Sequence, residues 1–202
     1  MRRNRLFVLG ALLSASLVTP SLDAQTPPTT TPPAQPVATP PPPPSPPAPV
    51  DPRVAMSGNY GFVGGDRERN EVIAAIGRAT DGMNFITGPI ARGRLRDRNP
   101  VYGSIGLRFT PGFIEVLFDG RSFRSPDSGA QAPGRSVTNE PVQVSQRFDG
   151  NGHIVQVITS ESGSKRSEFA LGSDGATLSM SVTVTSGSLP RQLRYTLTFH
   201  RR

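Results

Sequence analysis

Two hydrophobic rhythms follow one another after residue 57. In the first, Val72, Ile73, Ile76 and Ala79 recur at three- and four-residue spacing, which puts them on one face of a helix. Asp66, just behind Gly64-Gly65, is placed to cap that helix. The glycines at 58, 61, 64 and 65 precede it as a loop; they match neither phosphate-binding fingerprint, since no Gly-Lys-Ser/Thr follows and no apolar strand leads in. A second helical stretch puts Met83, Ile86 and Ile90 on one face, with Pro89 kinking or restarting it. It runs into Arg92-Gly93-Arg94-Leu95-Arg96-Asp97-Arg98.

From Ser104 the period drops to two. Ile105, Leu107 and Phe109 alternate with Gly106 and Arg108; Ile114, Val116 and Phe118 alternate with Glu115 and Leu117. Pro111-Gly112 and Asp119-Gly120 break these runs, the latter a two-residue hairpin signal. A short run from Arg121 to Arg124 follows, then Val142 to Phe148, His153 to Ser160, Lys165 to Leu171, Ala176 to Thr185 and Arg191 to His200. In the last two, Leu178, Met180, Val182 and Val184 alternate with Ser and Thr, and Leu193, Tyr195, Leu197 and Phe199 alternate with Arg194, Thr196, Thr198 and His200. Each strand therefore has one apolar and one polar face.

This order predicts an α+β, mainly β domain: an N-terminal helical segment, then an antiparallel up-and-down meander of eight strands forming a half-barrel or small barrel. The apolar face needs a cover. The Val72/Ile76 helix supplies one, which favours the half-barrel. An outer-membrane barrel would turn the apolar residues to lipid. Short strands, three Tyr, no Trp and a chain ending Phe199-His200-Arg201-Arg202 argue against it.

Composition changes the picture at the N-terminal end. Fourteen of the 22 prolines lie between Pro27 and Pro52, so their excess belongs to a tract and not to the fold. Met1-Arg2-Arg3-Asn4-Arg5, the apolar run from Leu6 to Val18 and the small Ala24 read as a secretory signal peptide over 1–24. The apolar run is too short for a comfortable span of ~20 residues. Residues 25–57 read as a proline-rich disordered linker in extended polyproline II form, and 58–202 as the helix-plus-meander domain. The expected location is the periplasm or the exterior, with no transmembrane span in the mature chain. The absence of cysteine removes disulfides, thiolate metal sites and cysteine nucleophiles.

Charge adds one cluster. The net charge is +7, carried by 21 Arg and a single Lys, and Arg92, Arg94, Arg96 and Arg98 are its densest concentration. On a helix Arg92 and Arg96 share a face, as do Arg94 and Arg98, while Leu95 turns inward. Guanidinium forks suit phosphate or carboxylate, so a lipid or anionic envelope component is the expected partner. Nucleic acid is not expected, since no basic-aromatic platform is present. The seventeen-residue stretch Ser125 to Pro141 reads as a long loop at the mouth of a cavity. Arg135, with Asn139 and Glu140, offers polar groups there, and Gln146 and Tyr195 offer inward-facing hydrogen-bonding groups among aliphatics.

Catalytic signals are sparse. There is no Gly-x-Ser-x-Gly elbow, and His153 and His200 are the only histidines. No catalytic residue, metal ligand or cofactor site is expected. The leading expectation is a noncatalytic exported domain binding an apolar or amphipathic ligand, or a partner surface, in its curved sheet. One alternative is an adaptor holding anionic envelope polymers or lipid headgroups through the arginine face. Another is a hydrolase in which His153 or a pair among Glu115, Glu140, Glu161 and Glu168 meets the Ser125 to Pro141 loop.

Overall fold

The computed structural model of the protein describes residues 51–150 and 152–202. The expected signal peptide and the linker residues 25–50 lie outside them. The order of elements is α1 (Pro52–Met56), β1 (Gly58–Phe62), α2 (Gly65–Ala79), α3 (Thr87–Arg98), β2 (Ser104–Thr110), β3 (Phe113–Phe118), β4 (Arg121–Pro126), β5 (Ala132–Arg135), β6 (Pro141–Phe148), β7 (His153–Ser160), β8 (Gly163–Leu171), β9 (Thr177–Thr185) and β10 (Leu193–Arg201). The strands form one antiparallel sheet in the order β4-β3-β2-β1-β10-β9-β8-β7-β6-β5.

The sheet curls into a nearly closed barrel, because β1 joins the two ends of the expected meander. Tyr60 pairs with Ile105 of β2 on one side and with Arg201 of β10 on the other. On the far side β4 and β5 do not pair, and the gap is bridged by side chain and loop. Gln146 Nε2 donates to the Phe123 carbonyl at 3.0 Å, and Ser128 makes an isolated bridge with Arg147. The fold class is as the sequence predicts, with ten strands where eight were expected.

Both additional strands lie in stretches rich in turn formers. β1 reads Gly-Asn-Tyr-Gly-Phe, which propensity assigns to a loop. Its glycines are there for clearance: a Cβ on Gly61 would stand 2.2 Å from the Arg202 guanidinium, which lies over the strand. β5 is only four residues, Ala-Pro-Gly-Arg, at the sheet edge where proline costs no ladder bond.

The linker boundary also moves. Asp51 accepts from Arg53 N at 2.9 Å and caps α1, with Pro52 at the first helical position. Met56 is 0 % exposed, so the packed domain begins before Gly58. Arg201 fixes this helix to the barrel: its guanidinium donates to Ser57 O at 2.7 Å, to Ala55 O and to Tyr60 Oη at 2.8 Å. Tyr60 Oη in turn donates to Met56 O. Met56, Tyr60 and Arg201 thus seal one end of the barrel, called the base below.

α2 buries Val72, Ala75, Ile76 and Ala79, and packs along β10. Ile73, counted on that face by spacing alone, points outward and is half exposed. The cap is Gly64, and Asp66 lies in the first turn. Glu68 does the tethering. Its carboxylate accepts from Thr198 N at 2.7 Å and Thr198 Oγ1 at 2.8 Å, where the β1–β10 ladder ends at Phe62↔Phe199. The side chain takes the place of the missing strand partner for a donor that must be satisfied.

Inside the barrel, cross-strand register sorts the inward residues of β6 to β10 into layers. Lowest of the rows that run through all five strands is Phe148-Ile154-Phe169-Met180-Leu197, with Leu171-Leu178-Phe199 of β8 to β10 nearer the base still. Above it comes Gln146-Gln156-Ser167-Val182-Tyr195, and above that Val144-Ile158-Lys165-Val184-Leu193. The apolar faces point in and the Ser, Thr and Arg faces point out, the reverse of a barrel solvated by lipid. Among the described residues no helix is long and apolar enough to cross a membrane.

Candidate functional site

The end of the barrel opposite the base holds a cavity of about 390 Å³. Its walls come from Phe118, Phe123, Val142, Ile158 and Val184 on the strands and Tyr102 in the α3–β2 connection, and its cover from Ile90, Ala91 and Leu95 of α3. Tyr102 and Phe118 stack at 4.3 Å between ring centroids, and Phe118 meets Phe123 edge-on at 5.7 Å. The cavity exists because α3 is a poor plug. Only Gly88 and Leu95 of its twelve residues are buried, so one leucine enters the mouth where a full apolar stripe would fill it.

The expected face of Met83, Ile86 and Ile90 is not a core stripe. Asn84 caps the helix, its Oδ1 accepting from Thr87 N at 2.8 Å and Ile86 N at 3.0 Å. Pro89 falls in the first helical turn, where its missing N–H costs nothing. Ile86 and Ile90 are left largely exposed, and Phe85 is 88 % exposed. Met83 and Ile90 reach the cavity rim.

The four arginines separate by role. Arg94 and Arg98 line the cavity. Arg98 is already committed: it donates to Glu140 Oε1 at 2.5 Å and to Ser162 Oγ at 3.0 Å, latching α3 across the β5–β6 and β7–β8 turns. Arg96 faces solvent and Arg92 is half-buried. Arg92, Arg94 and Arg96 make no ion pair among the described residues.

The Ser125 to Pro141 stretch is only partly a loop, since β4 extends to Pro126 and β5 occupies Ala132–Arg135. Its second half does reach the mouth, where Ser136, Val137 and Glu140 join the lining. Arg135 does not join them. It is exposed and donates to Asn139 O at 3.1 Å within its own turn. Gln146 and Tyr195 face inward, as their alternation requires, and lie one layer below the cavity wall.

That layer has unusual chemistry. Gln146 Oε1, both polar atoms of Gln156, Ser167 Oγ and Tyr195 Oη are buried without hydrogen-bond partners, as is Ser125 Oγ on β4. Buried polar groups without partners cost free energy, so five of them clustered in one barrel mark a polar interior. Burial holds the Tyr195 and Tyr102 hydroxyls well above the ordinary phenol range, and each phenol feels its surroundings: Tyr195 is raised further by Tyr102, and Tyr102 by Asp119.

The residue that sequence reasoning missed is Lys165. It sits in the cavity wall between Ile158 and Val184 in register. Its ammonium stands 5.5 Å from the Tyr102 ring centroid. It makes no hydrogen bond or ion pair among the described residues, and burial pushes its pKa down to about 8. One signal was available: it is the only lysine among 22 basic residues.

The groups a hydrolase would need are dispersed. His153 pairs with Asp149 at 3.3 Å in the β6–β7 turn, at the base, and His200 lies on the outer face near the end of β10. Glu115 bridges to Arg108 at 3.5 Å and Glu168 pairs with Arg166; Glu161 lies exposed in the β7–β8 turn. Glu140 alone of these reaches the cavity. Among the described residues no three His, Asp or Glu converge on one point as metal ligands.

No protein-family model and no curated protein matches the sequence. Solved structures do match in fold. Fatty-acid-binding protein 1 of Echinococcus granulosus aligns with 73 % of this chain and 98 % of its own at 12 % identity and a TM-score of 0.43. Lipid binding protein 8 of Caenorhabditis elegans aligns over 74 % and 96 % at 11 % identity and 0.45. The zebrafish ileal bile acid-binding protein complexed with cholic acid covers 73 % and 99 % at 8 % identity and 0.44. At these values the chain is similar to those barrels in outline, and what its cavity takes is a question for its own side chains.

Proposed function

We propose that this protein is an exported, noncatalytic envelope protein whose barrel binds an apolar or amphipathic ligand in the cavity beneath α3. The observation that carries the reading is the cavity itself: about 390 Å³ walled by aromatic and aliphatic side chains, within the size of sites that hold small ligands. Burying an apolar body there gains roughly 25 cal/mol per Å² removed from water. The unpartnered polar layer beneath supports a ligand with a polar group of its own. The leader and proline tract of the sequence support export.

The test is native mass spectrometry of the protein purified from its own cell envelope, before and after delipidation. A bound species that delipidation removes and an added long-chain alcohol replaces is the expected result. A chain that carries nothing and binds no apolar probe at any concentration short of micelles would end the reading.

A second reading rests on a separate observation. Phe85, Ile86 and Ile90 are exposed beside Arg92, Arg94 and Arg96, none of which is ion-paired among the described residues. Apolar side chains flanked by free guanidinium groups suit an anionic lipid surface. Binding to anionic vesicles that falls steeply with salt, and drops when Arg92, Arg94 and Arg96 become Gln, is expected; salt-independent binding would reject it.

A further inference from the structure

We propose that Lys165 is a covalent carbonyl-trapping residue, its Nζ condensing reversibly with the aldehyde of an apolar ligand seated in the cavity. The inference rests on the cavity reading above and names a ligand class for it.

Three features of the site point this way. The first is position: Nζ belongs to a wall residue set between Ile158 and Val184 and packed over Tyr102, so an aldehyde entering with its chain along the apolar walls meets an amine. The second is the lack of a counter-ion. Glu140, the carboxylate that lines the cavity, is taken by Arg98, Glu161 lies exposed in the β7–β8 turn, and no carboxylate among the described residues is ion-paired with Lys165. The third is the choice of residue. The chain uses arginine at 21 of its 22 basic positions and lysine at this one alone. Arginine binds carboxylate and phosphate better, being planar and bidentate, but it stays protonated. A lysine is the cationic side chain that becomes a nucleophile on losing its proton, and an apolar pocket promotes that loss. With burial lowering its pKa to about 8, roughly a tenth of Lys165 is free amine near neutral pH, against roughly one part in several thousand for an ordinary lysine.

The chemistry balances without an oxidant or reductant. The Nζ lone pair forms a C–N bond to the carbonyl carbon, and the carbonyl π pair moves to oxygen, which takes up a proton. Nitrogen gives up one of its two protons to leave the carbinolamine. The hydroxyl then takes up a second proton, the C–O bond breaks and water leaves as the nitrogen lone pair forms the C=N bond, and loss of the last N–H proton gives the imine. Hydrolysis reverses each step and returns the aldehyde.

The experiment uses the whole protein, with decanal as the probe, sodium cyanoborohydride to fix any imine, and peptide mapping to locate the alkyl group. In the native state Lys165 should be labelled at least tenfold faster than in the same chain unfolded in urea, added decanol should slow that labelling, and K165R should carry no label at this position. Labelling no faster than in the unfolded chain, or unaffected by decanol, would overturn the inference. Displacement of a fluorescent fatty alcohol is measured alongside. If decanol and decanal both displace it while Lys165 stays unmodified, the cavity reading stands and the covalent step falls. If neither displaces it, both fall.

Discussion

Replacing Lys165 with Met should remove a pH dependence of stability that the wild-type protein carries. Burial takes this lysine from its ordinary 10.5 to about 8. Between those values the unfolded chain holds a proton that the folded chain has released, so wild-type stability rises as pH rises through the window. For that pair of values the gain between about pH 7 and about pH 9.5 comes to ~2 kcal/mol. Lys165 keeps partial access to water through the cavity, and screening reduces the expected gain to about 1 kcal/mol. The charged groups around the same cavity are Arg94, Arg98 and Glu140, with Tyr102 packed on the ammonium. Tyr102 and Tyr195, raised by burial, act in the opposite direction above about pH 10, where the unfolded chain loses phenolic protons first. The comparison therefore stays below that pH. Urea titrations of both proteins at the two pH values measure it: the wild type should gain about 1 kcal/mol relative to K165M, with equal m-values. Parallel behaviour of the two proteins, or a relative loss for the wild type, would refute the burial of an unpaired ammonium.

Three further changes probe other parts of the structure. Glu68→Ala removes the acceptor for Thr198 N and Oγ1 and should cost about 2–3 kcal/mol, lowering the thermal midpoint by roughly 4–12 °C; an unchanged midpoint would show that α2 is held by packing alone. Gly163→Ala places a methyl 2.2 Å from the Thr185 carbonyl at a φ of +144° and should cost at least ~2 kcal/mol, read by the same melt. Ile158→Trp fills the cavity from its wall and should weaken alcohol binding at least tenfold while the far-ultraviolet circular dichroism is retained; undiminished binding would place the ligand elsewhere.

The repeating parts of the domain were legible in the sequence for a simple reason. Leu178 to Val184 and Leu193 to Phe199 alternate without interruption, and burial follows that alternation almost residue by residue. β1 was not legible, because two of its five residues are glycines whose value is the room they leave, Gly58 for Arg201 and Gly61 for Arg202, a property of neighbours at the far end of the chain. The α3 face misled for the opposite reason. Ile86 and Ile90 have helical spacing, yet the Asn84 cap and the barrel rim decide which way that helix turns: both are left more than half exposed, and Ile90 reaches only the cavity rim. At the site, the inward direction of Gln146 and Tyr195 followed from parity. Lys165 follows the same parity, but a lysine beside Arg166 reads as surface until the register with Ile158 and Val184 is known.

The sealed base carries a kinetic consequence. With Met56, Tyr60 and Arg201 closing one end, a molecule held under α3 has to leave by the door through which it came. Uptake and release then share one barrier, the displacement of α3 against its Arg98 latch to Glu140 and Ser162. Loosening that latch should speed both directions together and leave the equilibrium between them almost where it was.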